Sequence, residues 1–182
     1  MLAAATLTQG CVSHIKASTS QNPPPVEAFN KFGRIEVKPA VFKSGITGNA
    51  SALAKINQNI QLDLSASLAS WNKGPGNGRT LVIEPVVEQM DFKNGAQRVM
   101  FGAMAGSSGV LMRMNIHDGN GRVIASPEFF QRVKAMSGAW SMGIQDNMML
   151  TRVANLSANY VKANYSDATG GPTGGADPVI KR

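Results

Sequence analysis

Apolar residues recur at steps of three and four along residues 49–71. The recurring residues are Leu53, Ile56, Ile60, Leu64 and Leu68. Because an α-helix turns once in 3.6 residues, this spacing predicts an amphipathic helix with all five on one face. Asn49 is predicted as the N-cap and the end is expected near Trp71, with Lys55 and Asn59 off the apolar face. Such a helix has to bury its apolar face against another element.

Strand patterns flank this helix on both sides. Residues 34–42 alternate apolar and polar side chains, and Pro39 places this strand at a sheet edge because proline cannot donate to a ladder. Residues 80–92 are rich in β-branched residues, and Pro85 indicates an edge or a bulge. Residues 72–78, between the helix and this strand, are rich in glycine and asparagine and predict a loop.

The second half of the chain repeats the strand pattern and then returns to a helix. Residues 110–117 alternate, and the turn at Gly119–Gly121 predicts a hairpin into a fourth strand. Residues 128–140 fit either an extension of the sheet or a segment that covers it. Asp146 is predicted to cap a final helix. Its apolar stripe consists of Met149, Leu150, Val153, Leu156, Tyr160 and Val161.

The predicted order of elements is strand, helix, strand, strand, strand, helix. This order predicts an α+β fold with a small, mainly antiparallel or mixed sheet of about four strands and two helices packed on one face. The domain is predicted to span residues 31–165. Residues 11–30 are predicted to be a flexible linker, and residues 166–182 a disordered low-complexity tail.

Composition bounds the classes of partner. The chain has 182 residues, with 18 Lys and Arg against 11 Asp and Glu, a formal charge of +7. This charge favours contact with anions, but the basic residues are scattered without interleaved aromatic residues, so no nucleic acid is expected. The single cysteine excludes an intramolecular disulfide and a multi-cysteine zinc site. The chain contains no stretch of about 18 apolar residues, so no transmembrane helix is predicted.

The single cysteine, Cys11, follows a short run of small and apolar residues. Leu7 and Gly10 approximate the residues that precede a lipidated cysteine in bacterial lipoproteins, and residues 1–10 are interpreted as a shortened signal. The following residues are polar and end in three prolines, a composition typical of a tether. Cys11 is therefore predicted to be lipidated, and Val12 after it resembles the signal for outer-membrane sorting. The alternative is a frayed N-terminus with an incidental thiol.

Other motifs give no catalytic, metal or cofactor residues. Gly102, Gly106 and Gly109 are followed by a strand and not by Lys, so a bend or close backbone approach is favoured over a phosphate loop. Asp118 begins a turn that lacks the later glutamate of a calcium loop. His14 and His117 are the only two histidines and are far apart in the sequence. We therefore predict no enzyme activity, no metal and no cofactor.

A set of residues in the second half occurs in an order typical of one family. The set consists of Gly95, Arg98, Gly102, Gly106, the strand 110–117, Asp118, Gly121, Arg122 and Val123. Residues 33–165 in this order resemble a family of Gram-negative lipoproteins that is known only as a domain of unknown function. The resemblance implies an envelope location and a compact α+β domain. It implies no catalytic residues.

These observations lead to one functional expectation and one alternative. The chain is expected to be a lipoprotein anchored at Cys11 to the outer membrane and facing the periplasm. It would act as a binding or structural accessory component of an envelope assembly, with an envelope protein as partner. The alternative is a soluble periplasmic or secreted module that binds an acidic glycan or lipid through its positive charge. No oligomeric state is predicted.

Overall fold

The structure is a computed structural model that describes residues 15–91, 107–134 and 142–176. Two helices of 22 residues each are present in these ranges, α1 (Ala50–Trp71) and α2 (Met142–Ala163). A short 3-10 helix spans Phe29–Lys31. The strands are β1 (Gln21–Asn22), β2 (Arg34–Val37), β3 (Val41–Phe42), β4 (Thr80–Asp91), β5 (Ser107–Asp118), β6 (Val123–Ala125), β7 (Glu128–Lys134), β8 (Gly171–Pro172) and β9 (Gly174–Ala176).

The main sheet is mixed and contains seven of the described strands. Its order is β2-β4-β5-β7-β9, with β3 also pairing with β4 and β6 also pairing with β5. The central strands β4, β5 and β7 are antiparallel, whereas β2 and β3 run parallel to β4 and β9 runs parallel to β7. Strands β1 and β8 form a separate antiparallel pair. The prediction of about four strands is therefore wrong.

The strands that the sequence missed are short. They are β1 and β8, with two residues each, and β9, with three, whereas β3 lies inside the predicted first strand and β6 is the predicted fourth strand. A strand is recognised in a sequence by alternation over about four to eight residues, so these segments carry no usable pattern. They become strands because their backbone groups pair with a neighbour that the fold brings beside them. The ambiguous segment 128–140 extends the sheet as β7 over Glu128–Lys134.

The sheet has two faces of different character. On the inner face, side chains of β4 and β5 form the main core with the helices. These side chains belong to Leu81, Ile83, Val87, Val110, Met112, Met114 and Ile116. Because successive side chains of a strand point to opposite sides, the residues between them, such as Glu84, Arg113 and His117, lie on the outer face. The predicted alternation in both strands agrees with this arrangement.

Helix α2 covers the inner face. It contacts β5 and β7 and buries Met149, Leu150, Val153, Tyr160 and Val161, which belong to the predicted stripe. The helix begins at Met142, so Asp146 lies inside it and is not the N-cap that the sequence predicted. The Tyr160 hydroxyl donates to the carbonyl of Pro23 (3.1 Å), and burial raises the pKa of Tyr160 to about 12.

Helix α1 packs mainly against α2 and reaches the sheet at its β2 edge. It begins where the sequence predicts, because the Asn49 side chain accepts from the backbone N–H of Ala52 (3.1 Å). Asn59, which was predicted to lie off the apolar face, is 9% exposed and donates to Thr151 Oγ1 of α2 (3.2 Å). The prediction for Asn59 is wrong because contact with both α2 and the sheet edge widens the buried face of α1.

The described parts of both predicted tails are built into the fold. Asn22 of the predicted linker and Thr173 of the predicted tail are both buried, and the pairing of β1 with β8 joins the two segments. Gly170 adopts a φ of 78°, and a Cβ there would lie 2.4 Å from the Asn22 carbonyl oxygen. This arrangement differs from the predicted linker over 11–30 and tail over 166–182. Polar residues order these segments through hydrogen bonds, which leave no apolar periodicity in the sequence.

Candidate functional site

The predicted lipidation site, Cys11, lies outside the described residues, and the structure begins four positions later at Ile15. An extended chain spans at most about 3.5 Å per residue, so Cys11 lies within about 14 Å of Ile15. The position of residues 15–22, here called the N-terminal segment, therefore limits where Cys11 can emerge from the domain. This segment crosses the outer face of the sheet.

The first part of the N-terminal segment makes apolar contacts with the sheet. Ile15 and Ala17 are buried in a small cluster with Leu111 of β5, against which Phe130 of β7 also packs. A Cβ added to Gly109 would lie 3.2 Å from the Ile15 Cβ, so a larger residue at this position would crowd the segment. Gly109 therefore meets a side chain that packs on its backbone. Gly102 and Gly106 lie outside the described residues.

The second part of the segment is held by Glu128, the first residue of β7. The backbone N–H and the hydroxyl of Ser18 both donate to Glu128 Oε2, at 2.7 and 2.8 Å. The Asn22 side chain then accepts from the N–H of Glu128 and donates to its carbonyl oxygen, each at 2.8 Å. Four hydrogen bonds thus connect the segment to this one residue, which is 8% exposed.

Arg113 connects Glu128 to the rest of the outer face. It lies directly opposite Glu128 in the antiparallel register and donates to it through Nη2. Its Nε donates to Glu88 Oε1 (2.9 Å), and Glu88 lies where the register of β4 shifts between Val87 and Gln89. Glu88 and Arg113 thus form an ion pair between neighbouring strands. A chain of hydrogen bonds therefore runs from β4 through β5 to the N-terminal segment.

The pKa values in this network indicate charged groups. Burial raises the pKa of Glu128, but the two hydrogen bonds from Ser18 and the charge of Arg113 together lower it below its ordinary value. The pKa of Arg113 is raised, chiefly by its hydrogen bond with Glu88. Glu128 is therefore a carboxylate at neutral pH, and its side-chain oxygens accept from three donors, two on Ser18 and one on Arg113.

A second ionic cluster fixes the chain that follows the N-terminal segment. Glu27 accepts from both terminal nitrogens of Arg79 (2.9 and 2.7 Å) and from Arg122. Asp118 Oδ1 accepts from the N–H groups of Asn120 and Arg122, at 2.9 and 3.0 Å. Asp118 thus closes the predicted hairpin turn, and its carboxylate is engaged by the turn itself.

The remaining polar groups of the outer face do not assemble a reactive cluster in the described part of the chain. His117 Nε2 lies 3.4 Å from Glu84 Oε2, and His14 lies outside the described residues. In residues 15–91, 107–134 and 142–176, no three His, Cys, Asp or Glu side chains are grouped so that they could hold a metal ion. Neither helix in these ranges is long and apolar enough to cross a membrane.

The residues that hold the N-terminal segment were not identified from the sequence. Arg113 was placed correctly on the face opposite the core, but its partner Glu128 belonged to the segment left ambiguous. Had residues 128–134 been assigned to a strand antiparallel to β5, the opposite charges of Arg113 and Glu128 would have suggested the pairing. Ser18 and Asn22 carry no such signal, because both residue types are common in tethers.

Of the comparisons with known proteins, the one with solved structures gives matches. No family model and no curated protein matches the chain. Three solved structures illustrate what it is similar to. They are the PelC dodecamer of Paraburkholderia phytofirmans (17% identity, 76% of this chain and 93% of that chain, TM-score 0.43), a minor lipoprotein of Acinetobacter baumannii (8%, 74% and 95%, 0.45) and a hypothetical protein of Chlamydia trachomatis (12%, 72% and 99%, 0.43).

The solved structures similar to this chain thus include a lipoprotein and a protein without an assigned role. Their identities lie at or below 17% and their TM-scores at or below 0.45, and likeness of this degree carries no argument about function.

Proposed function

We propose that this chain is a lipoprotein anchored through Cys11 to the outer membrane, and that its domain faces the periplasm. There it acts as a binding or structural accessory component of an envelope assembly. The observation that supports this proposal is the attachment of residues 15–22 to the outer face of the sheet. A segment that leads directly to a membrane anchor transmits the position of that anchor to the folded domain.

The attachment gives the anchor a defined exit point. Ile15 contacts Gly109 near the start of β5, and the segment then runs along the outer face toward Asn22. Ile15, the described residue nearest to Cys11 in the sequence, therefore lies at the end of the sheet where β5 begins. A lipid anchor at this point holds the domain close to the membrane surface, because at most about 14 Å of extended chain separates Cys11 from Ile15.

The strength of membrane attachment depends on the number of acyl chains on the anchor. One acyl chain gives only marginal membrane binding, whereas two or more chains give stable attachment. Stable attachment requires nothing further from the domain, which leaves its helices and sheet edges free for a protein partner. Because residues 15–22 are attached to the sheet, the connection to the anchor is short, and it presents these surfaces in a restricted range of orientations, as suits a component of an assembly.

Membrane partitioning tests this proposal. The full natural reading frame is expressed in a Gram-negative host with radiolabelled palmitate, and membranes are separated by density and extracted with Triton X-114. The wild-type chain is expected to carry label, to sediment with the outer membrane and to enter the detergent phase. Cys11→Ala is expected to lose the label and to appear in the aqueous phase.

The matched control is Ser13→Ala, which changes a neighbouring side chain and is expected to partition as the wild type does. If wild type and Cys11→Ala partition equally and neither carries label, Cys11 is no anchor and the proposal fails. Label combined with sedimentation at the inner membrane would contradict the outer-membrane location.

A further inference from the structure

A groove lies between α1 and the edge strand β2. It has a volume of about 400 Å³, within the range of roughly 300–1,000 Å³ that ligand pockets occupy. Its α1 wall and floor are formed by Ile60, Leu64 and Leu68, with Gln61 and Ser65 toward the rim. The β2 wall is formed by residues 37–39. We call this feature the edge groove.

Two asparagine side chains of the helical segment close the groove at its ends. Asn72 accepts from the N–H of Ile35 (2.8 Å) and donates to its carbonyl oxygen (2.9 Å). Asn57 likewise accepts from the N–H of Ala40 (2.6 Å) and donates to its carbonyl oxygen (3.2 Å). Each amide imitates the backbone of a neighbouring strand. Both ends of this sheet edge are therefore blocked against pairing with another sheet.

Between these two positions the edge remains open at Val37. The N–H groups of Arg34 and Lys38 donate to Arg79 and Ile83 on the β4 side (3.2 and 2.8 Å). Because backbone groups alternate in direction along a strand, those of Val37 point away from β4 and toward the groove. No residue in the described part of the chain makes a hydrogen bond with these outward groups. One donor and one acceptor are therefore available above an apolar floor.

We propose that the edge groove binds a short extended peptide of a partner protein, which adds to β2 as a strand at Val37. Addition of a strand to an open sheet edge gives affinity through backbone hydrogen bonds and specificity through pockets for alternate side chains. Here Val37 supplies the backbone pair, and the floor of Ile60, Leu64 and Leu68 receives an apolar side chain. The two asparagine clamps limit the added strand to a few residues, which selects a linear peptide over the edge of a folded sheet.

The charge around the groove indicates the composition of the peptide. Among the described residues that line the groove, Lys38 alone has an ionisable side chain, and this side chain is 51% exposed. The nearby carboxylate of Glu36 is shared between Lys38 (3.3 Å) and Arg34 (2.8 Å), and Lys73 follows Asn72, so the surroundings are net positive. The peptide therefore carries Asp or Glu beside its apolar residue, since complementary charge favours encounter and register.

A peptide selection tests this proposal without involving the lipid anchor. The probe is a phage-displayed library of random 12-residue peptides, selected on the full-length Cys11→Ala chain. Enriched peptides are expected to alternate apolar and polar residues and to contain Asp or Glu. Synthetic versions are expected to shift the amide proton signal of Val37 downfield in NMR titrations, because that N–H gains a hydrogen bond. The outcome is independent of whether Cys11 is lipidated.

Matched variants locate the binding. Ser65→Trp fills the rim of the groove and is expected to weaken peptide binding at least about tenfold, whereas Ala66→Trp at the neighbouring exposed position, which does not line the groove, changes it less than about twofold. Lys38→Gln is expected to weaken binding about three- to tenfold, with a reduced salt dependence. Circular dichroism confirms that each variant is folded.

Three results would overturn the proposal. The first is the absence of any peptide that prefers the wild-type groove to Ser65→Trp. The second is an unchanged Val37 amide at saturating peptide. The third is a different occupant of the groove. It would be shown if no peptide binds and if Ser65→Trp abolishes either palmitate binding or self-association measured by sedimentation.

Discussion

The two faces of the main sheet are covered in different ways. The inner face is covered by α2, with α1 beside it, through fully buried apolar side chains such as Met112, Phe129 and Val153. The outer face is covered over β5 and β7 by the N-terminal segment, whose buried apolar side chains are Ile15 and Ala17 and which relies on hydrogen bonds to Glu128. One sheet thus supports one apolar and one mainly polar contact layer.

This difference separates two tasks. Apolar burial is non-directional and contributes roughly 25 cal/mol per Å², so the inner face supplies the free energy that folds the domain. Hydrogen bonds to a carboxylate depend on geometry and ionisation, and each contributes about 1.5–3 kcal/mol. The outer face can therefore lose its covering segment while the domain stays folded. Four predictions test this separation.

The largest effect is expected for Val153→Asp on the inner face. Val153 is 0% exposed, and a buried carboxylate without a partner costs several kcal/mol, comparable to a total stability of about 5–15 kcal/mol. Thermal melts followed by circular dichroism should show no cooperative transition for this variant. Asn159→Asp, on the exposed side of α2, should stay within about 0.5 kcal/mol of wild type.

A smaller but still large effect is expected for Ile60→Asp in α1. Ile60 is 4% exposed but borders the edge groove, so water can reach a carboxylate there more easily than at Val153. Urea denaturation should show a loss of several kcal/mol, less than for Val153→Asp. Asn59→Asp should now cost about 1–2 kcal/mol, because its amide donates to Thr151. If Asn59→Asp leaves the free energy of unfolding unchanged, position 59 lies outside the interface between the helices.

Glu128→Gln should release the N-terminal segment without unfolding the domain. The variant replaces the carboxylate that accepts from Ser18 and Arg113 by an uncharged amide. The free energy that holds the segment on the sheet should fall by about 1–3 kcal/mol. Hydrogen exchange at the Ser18 amide should accelerate, while amides of β5 that face β4 remain protected. Glu84→Gln, whose side chain is 46% exposed, is the matched control and should leave the Ser18 amide unchanged. Global unfolding of Glu128→Gln would show that the two faces are not separable.

Acid should reproduce this release to a smaller extent. The pKa of Glu128 is lowered in the folded state, so its contribution to stability is present above the ordinary glutamate pKa and is lost as the pH falls through the lowered value. Between about pH 6 and pH 3, a window that spans the ordinary glutamate value, exchange at Ser18 should accelerate beyond its intrinsic pH dependence in the wild type. The Glu128→Gln variant should show no such excess, because its side chain does not titrate.

Several elements were predictable from local pattern. The start of α1 at Asn49, its end near Trp71 and the buried positions of β4 and β5 follow from periodicity and capping, which depend on neighbours within a few residues. The predicted linker and tail did not match the structure in their described parts. Their ordering depends on Glu128, which lies 110 positions from Ser18, and on the pairing of β1 with β8, which joins residues even farther apart in the sequence.

The sequence by itself determined the two helices, the strands β2, β4 and β5, and which of their faces are apolar, because side-chain direction follows from backbone periodicity. It also singled out Cys11 as the one cysteine. Only the tertiary structure decided that short polar segments become strands, that Asn59 is buried between helices and that the segment after Cys11 attaches to the outer face. These outcomes depend on hydrogen-bond partners that the fold brings together, and a polar residue does not record in its local sequence which partner it will meet.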